Sequence, residues 1–492
     1  MKILVATGHL AEMAVRKSAG DNADVIVADT KIAAFITPGK LLAAIEKNVS
    51  RFDYDIIFLP GLVSGDFSKA EARLGCSIRL GPKHAYDLSY VLPFAGSIEF
   101  SKQVPACELL VDLRREMAIG KARELEEVAV PAMMLGSLKL GGNSRMKVMA
   151  EVVNATGMEN DALVRKISSF VAKGADIIDL GASLHATPDD VERAIGIARS
   201  VTRLPVSIDT LDTELLMRAL ETGVDMVLSL DSSNIAVLGP YIAASGVPAV
   251  VIPDPDEGLE SLRRNIAAAR QAGIKRIIAD PVLDPIGHGI VDSLVRYKEF
   301  HCLYPDVPVF FGVGNVTELL DADSAGANAT LCGIGTDVGA SILFTPEYSN
   351  KAQGSIIELS RASLMMLLAH ERDSSPKDLG IDLMGIKEKR RRIDAVLPED
   401  FTEARSGRMW KLDPAGSVRI GIIPDENGNG GLILAEHDTM SVVGKTAAAV
   451  MDTLIDRGLI SRLEHAGYLG RELKKAEIAL KFNRSYSQDD DF

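Results

Sequence analysis

Between Lys147 and Phe344 the chain repeats one pattern: a short apolar run, a polar residue at its end, then a stretch of helical periodicity. The runs are Val148–Val153, Ile177–Leu180, Val206–Ile208, Met226–Leu230, Ala249–Ile252, Ile277–Ala279, Val309–Phe311 and Ser341–Phe344. They recur about every 20 to 32 residues, the spacing of a buried strand followed by a covering helix. Eight such units predict a closed (β/α)8 barrel of the TIM type. Local signals support the helices. Thr187-Pro188-Asp189-Asp190 combines a threonine cap, a proline in the first turn and acidic residues beside it. Asn160 or Asp161 opens a helix to Ala172, and Asp256 opens one that ends by Gly273.

The flanks read differently. Lys2–Ala6, Val25–Ala28, Ile56–Leu59 and Val91–Pro93 predict short strands of an open, parallel α/β layer. The first of these lacks the GxGxxG of a dinucleotide site. Residues from Cys107 to Arg145 read as helix-rich, ending in a Gly141–Arg145 loop. Beyond the barrel, Ile356–Ala369 completes the last unit, and Lys387–Arg392 reads as a solvated face or linker. Val418–Ile423 and Gly431–Glu436 predict a hairpin around the turn-rich Asp425–Gly430, followed by helices near Thr446–Arg457 and Tyr468–Phe482 and a mobile tail from Ser487. The resulting expectation is an α/β protein: an N-terminal α/β domain over 1–140, the barrel over 141–372, a linker over 373–397 and an α+β domain over 398–492.

Composition narrows the function. A net charge of −14 disfavours nucleic acid or an anionic membrane as the partner. The four cysteines are scattered without a CxxC, so neither a disulfide framework nor a zinc site is expected, and a cytoplasmic setting is.

In a barrel the working residues follow the strands. The candidates are therefore Asn154 after the first run, Asp179 after the second, Asp209 after the third, Ser229, Asp231 and Asn234 around the fourth, Asp280 after the sixth, and Gly312, Gly314 and Asn315 after the seventh. Carboxylates and amides at one mouth suit a ring that presents several N–H donors, and leaving one unpaired in a dry pocket is costly. His185 and His288 lie in loops of the same mouth and read as solvent-facing. The glycines either relieve crowding or let a phosphate approach. In the first domain, Arg79, Lys83 and His84 in Gly75–Asp87 read as a solvated basic loop or as an anion-binding edge.

VVNATG (Val152–Gly157), GADIIDLGAS (Gly174–Ser183), LPVSIDT (Leu204–Thr210) and IIADP (Ile277–Pro281) resemble the pterin-binding family of dihydropteroate synthases and pterin-dependent methyltransferases. The whole chain resembles its dihydropteroate synthase-related branch, down to HAGYLGRELKKAEIALKF (His465–Phe482). The resemblance implies that Asp209 and Asp280 grip the pterin ring, that Asp179 supports them, and that Asn154 meets the pyrophosphate and its Mg2+. It also departs from the synthases. Gly314-Asn315-Val316 replaces the Ser-Arg-Lys after the seventh strand and is closer to the methyltransferases. Phe344-Thr345-Pro346 replaces the Arg-x-His after the eighth, and Asn234 stands in for an asparagine missing at the fourth. Arg79 and Lys83 are the candidates to supply the missing bases. The implied ligand is a reduced pterin, tetrahydromethanopterin or a precursor. The implied activity is a synthase-like transferase of cofactor biosynthesis within one-carbon metabolism. The alternatives are a methyltransferase using a methylated pterin and a non-catalytic pterin-binding protein. Pairing of two copies is expected by analogy only.

Overall fold

The computed structural model describes residues 1–377, 379–386, 400–404, 411–425 and 430–490. Lys387–Arg392 and most of the Asp425–Gly430 turn lie outside the described residues. By their contacts the described residues up to Lys121 form one compact unit and those from Ala122 onward another.

In the first unit four strands, β1 (Ile3–Thr7), β2 (Asp24–Val27), β3 (Ile56–Leu59) and β4 (Ser77–Leu80), form a sheet of order β2-β1-β3-β4. All neighbours are parallel, as the apolar runs predict. The fourth strand corrects the sequence reading. Val91–Pro93 is helical, spanning the end of Leu88–Val91 and the 3-10 turn Leu92–Phe94. Its apolar residues are buried by packing against Phe58 and Phe100, not by pairing in a sheet. The true edge strand lies inside the segment read as a loop. Ser77–Leu80 alternates half-buried with buried positions, a pattern too short to stand out beside Arg79.

The second unit opens within the helix Ala106–Val128 and continues into a hairpin, β5 (Met133–Leu135) and β6 (Leu138–Leu140), that the sequence reading missed. Eight strands follow: β7 (Lys147–Val152), β8 (Ile177–Gly181), β9 (Val206–Asp209), β10 (Met226–Leu230), β11 (Ala249–Val251), β12 (Ile277–Ala279), β13 (Val309–Phe311) and β14 (Ala340–Thr345). They close into a barrel, β14 pairing in parallel with β7. Every predicted run is a strand here, to within two residues at either end.

Strand alternation sorts the side chains. Val148, Ala150, Ile178, Val206 and Ile208 face outward and pack under the helices. Met149, Ile177, Met226, Leu228, Val250, Ile278, Phe310 and Ile342 face inward, where Leu135 and Leu140 of the hairpin join them. Gly141, just after the hairpin, lies against Pro308 and Ser341 near the start of the last two strands. The hairpin thus plugs the N-terminal end of the barrel. There Lys147 is fully buried and donates to Glu126 Oε1 at 2.8 Å, while Arg145 forks onto Asp176. Between strand and helix, Thr187 begins the helix Pro188–Val201 with a full capping box, its side chain accepting from Asp190 N and the Asp190 carboxylate accepting from Thr187 N.

The C-terminal sheet has three antiparallel strands, β15 (Val418–Pro424), β16 (Gly431–His437) and β17 (Ser441–Gly444), the last of them unforeseen. The helices Ala447–Asp456 and Leu463–Lys481 cover it. The tail, expected to be mobile, is held as far as Asp490. Gln488 accepts from Ile420 N at 2.8 Å and donates to the Tyr468 hydroxyl at 2.9 Å, and Tyr468 donates to Asp489 at 2.6 Å.

Candidate functional site

The open end of the barrel is built from the last inward-facing residue of each strand. On β7 the inward series Met149, Glu151 ends in a carboxylate, and on β8 the series Ile177, Asp179 does the same. Register places Glu151 opposite Asp179, Asp179 opposite Ser207, and Gly181 opposite Asp209. Asp280 follows β12 on the inward parity of Ile278. Leu228, Ile252, Phe310 and Phe344 complete the interior with apolar surface, the two phenylalanine rings tilted at 41° with centroids 5.0 Å apart. The acceptors therefore sit above an apolar barrel interior.

The acids are crowded. One carboxylate oxygen each from Glu151, Asp179 and Asp209 lies within 4.8 Å of the others. Asp179 is fully buried. Its Oδ1 accepts from Ser207 Oγ at 2.5 Å, and its Oδ2 has no partner among the described residues. Burial, with Asp209 and Glu151 beside it, holds the Asp179 carboxyl well above the usual carboxylate range. Burial also pushes Asp209 up. Glu151 is pushed up to about 7 by burial and by Asp209 and Glu318. Asp280 is pushed up to about 6, chiefly by burial, against the pull of the Tyr297 hydroxyl and Val282 N, which donate to its Oδ1 at 2.7 and 2.8 Å.

The predicted residues fare unequally. Asp179, Asp209 and Asp280 share the mouth. Asn154 is exposed just past β7 in a left-handed conformation. Asn315 is exposed on the rim and donates to Leu283 O at 3.0 Å, which ties the loop after β13 to the loop after β12. Asn234 is buried and committed to backbone. It donates to Ser229 O at 3.0 Å and Leu211 O at 3.4 Å and accepts from Asp231 N at 3.1 Å, so it braces two loops rather than facing a ligand. His185 and His288 are exposed. Gly314 relieves crowding, since a Cβ there would lie 2.5 Å from Pro346 Cδ, and Gly312 makes room for the Asn315 carboxamide. Arg79 pairs with Glu71 and Lys83 with Glu108, each at 2.5 Å, so each cation already has its own counter-ion.

Glu151 was missed. The available signal was an acid at an inward-parity position inside an apolar strand, where no solvent-facing role exists for it.

Residues 150–328 match the family model described as pterin binding enzyme, and residues 412–489 match a second model, PterinBD-DUF4346. The chain is 37% identical to an uncharacterized protein of Methanocaldococcus jannaschii over 524 aligned residues, covering 100% of this chain and 99% of the relative. The chain belongs to the dihydropteroate synthase-related pterin-binding proteins. Within that family it also resembles, at 25% identity over 42% of this chain and 45% of the relative, the acetyl-CoA decarbonylase/synthase complex subunit gamma 1 of Methanosarcina thermophila. A mitochondrial folate synthesis bifunctional protein of Arabidopsis thaliana matches at 26% identity over 18% of each chain. Among solved structures, Yersinia pestis dihydropteroate synthase with a pterine-sulfa conjugate aligns at TM-score 0.40 and 17% identity, covering 49% of this chain and 99% of that one. The Thermus thermophilus enzyme aligns at TM-score 0.37 and 21% identity, covering 45% and 93%. No helix among the described residues is long and apolar enough to cross a membrane.

The donor needs of the site suit a pterin: the buried Asp179 Oδ2, without a partner among the described residues, and the neighbouring acids want N–H donors.

Proposed function

We propose that the mouth of the barrel binds a reduced pterin of the tetrahydromethanopterin type and that the protein transfers a one-carbon unit to or from it. One observation carries this reading: carboxylates from β7, β8, β9 and the end of β12 converge on an otherwise apolar interior. Asp209 and Asp280 would accept from the amino and ring N–H groups, with Asp179 behind them. Each contact left unmade would strand a buried acceptor, at a cost of about 1–3 kcal/mol, so a donor-rich ring is selected over an apolar one.

The same charge argues against the synthase reaction. A diphosphate leaving group needs cations where its charge develops. The arginines near the mouth are otherwise engaged. Arg193 donates to the carbonyls of Thr156 and Met158, and Arg296 to Asp284 Oδ2 at 2.8 Å and Val282 O at 2.9 Å. Transfer of a carbon unit needs no diphosphate site. The likeness to a folate synthesis protein favours synthesis; the longer likeness to an acetyl-CoA decarbonylase/synthase subunit and the acidic charge of the mouth favour transfer.

The test is a calorimetric titration of the full-length protein with a reduced pterin, followed by incubation of a methylated reduced pterin with a thiol or corrinoid acceptor. Stoichiometric binding and loss of the methyl group support the reading. Release of diphosphate from a pterinmethyl diphosphate and an aminobenzene would overturn it in favour of the synthase. Tight binding without turnover of either kind would leave a pterin carrier.

A further inference from the structure

Acceptors outnumber donors in the mouth, and their placement is uneven. Glu151, Asp179 and Asp209 stand on three adjacent strands as one ledge, whereas Asp280 comes from β12 and has its Oδ1 occupied by Tyr297 and Val282. Gly181 gives the ledge room: a Cβ at that position would lie 2.6 Å from Glu151 Oε1, so a side chain there would make the carboxylate move aside. Asp179 Oδ2, buried and without a partner, is an acceptor in that ledge still waiting for a donor.

Pterins differ in what they can give such a ledge. A fully oxidised pterin carries N–H groups only on its 2-amino substituent and at N3, a pair that one carboxylate spans. On the opposite edge its N1 and N8 present lone pairs. Reduction of the pyrazine ring converts N8, and in the tetrahydro state N5, into N–H donors. Resting on the reading that the mouth holds a pterin, we propose that Glu151, with Asp179 and Asp209, senses the oxidation state of the ring: the ledge accepts the extra N–H of a reduced pyrazine and repels the bare nitrogen of an oxidised one. Glu151 is thus a specificity-determining residue. Specificity of this kind follows from stranding buried acceptors when the donor is missing.

The experiment compares 6-methyltetrahydropterin with 6-methylpterin, titrated anaerobically at pH 7.5, where Glu151 with its midpoint at about 7 is mostly ionised, into the full-length wild-type protein and into Glu151→Gln. The carboxamide keeps the size of the side chain and can donate to a bare ring nitrogen. In the wild type the reduced ring is expected to bind at least fivefold more tightly, and in Glu151→Gln that ratio is expected to shrink, mainly through tighter binding of the oxidised ring. A wild-type ratio below fivefold, or a ratio unchanged by the substitution, overturns the inference while leaving pterin binding intact. Failure of the wild type to bind either compound overturns the pterin reading and the inference together. The wild-type comparison decides even if the variant does not fold.

Discussion

The Tyr297 hydroxyl donates to Asp280 Oδ1 across 2.7 Å, joining the helix Ile290–Leu303 to the end of β12. Tyr297 is fully buried and Asp280 half-buried, and the ring of Tyr297 packs edge-on against Phe311. Burial favours the neutral acid, the phenol favours the carboxylate, and Asp280 settles at about 6. The phenol thus keeps a mouth acceptor mostly ionised at neutral pH.

Tyr297→Phe keeps the ring and removes the donor. The Asp280 midpoint should move upward from about 6, so pterin affinity should fall most at pH 6–7 and recover by pH 8–9. Titrations across that range check it; a uniform loss at every pH would contradict it.

Asp209→Asn removes a charged acceptor from the mouth. Binding of a reduced pterin should weaken about tenfold or more, the scale of one charge-assisted hydrogen bond. Normal binding by the variant would show that Asp209 does not touch the ring.

The acidic ledge makes the unliganded barrel pH-sensitive. Glu151 at about 7 binds its proton more tightly folded than unfolded. Its proton-linked stabilisation is full below the unfolded value near 4.3 and is lost as pH rises to about 7, beyond which the curve flattens. Asp179 and Asp209 are displaced in the same direction. Glu151→Gln should therefore stabilise the ligand-free protein at pH 8 by on the order of 2 kcal/mol and shallow the decline between pH 5 and 7. Denaturant midpoints at the two pH values measure both effects.

At the plugged end of the barrel, Asp176 accepts from Arg145 and from Val148 N at 2.9 Å. Asp176→Ala leaves a mostly buried guanidinium and a strand N–H without their acceptor. The expected cost is about 3 kcal/mol, seen in the chemical denaturation midpoint, with pterin binding unaffected at temperatures where the protein is folded.

Removal of residues 487–492 deletes Gln488, which bridges β15 and the helix Leu463–Lys481. Proteolysis of the C-terminal sheet should accelerate, and its stability should fall by about 1–2 kcal/mol. An unchanged digestion rate would show the tail to be dispensable.

Much of this protein was set by local pattern. The alternation of apolar runs with helical stretches was enough for the barrel, because each βα unit carries its own period, cap and stop, as Thr187 and Pro188 show. The acids Asp179, Asp209 and Asp280 were legible for the same reason: each interrupts or ends a run that otherwise buries only apolar groups. Tertiary structure decided the rest. Strand parity alone could have flagged Glu151, but that it joins them depends on register with β8 and on the absence of a side chain at Gly181, neither of which its neighbours in sequence encode. Asn234 looked like a ligand until its carboxamide proved committed to backbone, to Ser229 and Asp231 in its own loop and to Leu211 in the loop after β9. The β5–β6 hairpin, too short to carry a clear period, is a hairpin because Leu135 and Leu140 find the open interior of a closed barrel to fill. Local propensity and periodicity act within a few residues, whereas burial, charge crowding and hydrogen-bond commitment exist only once distant strands have come together.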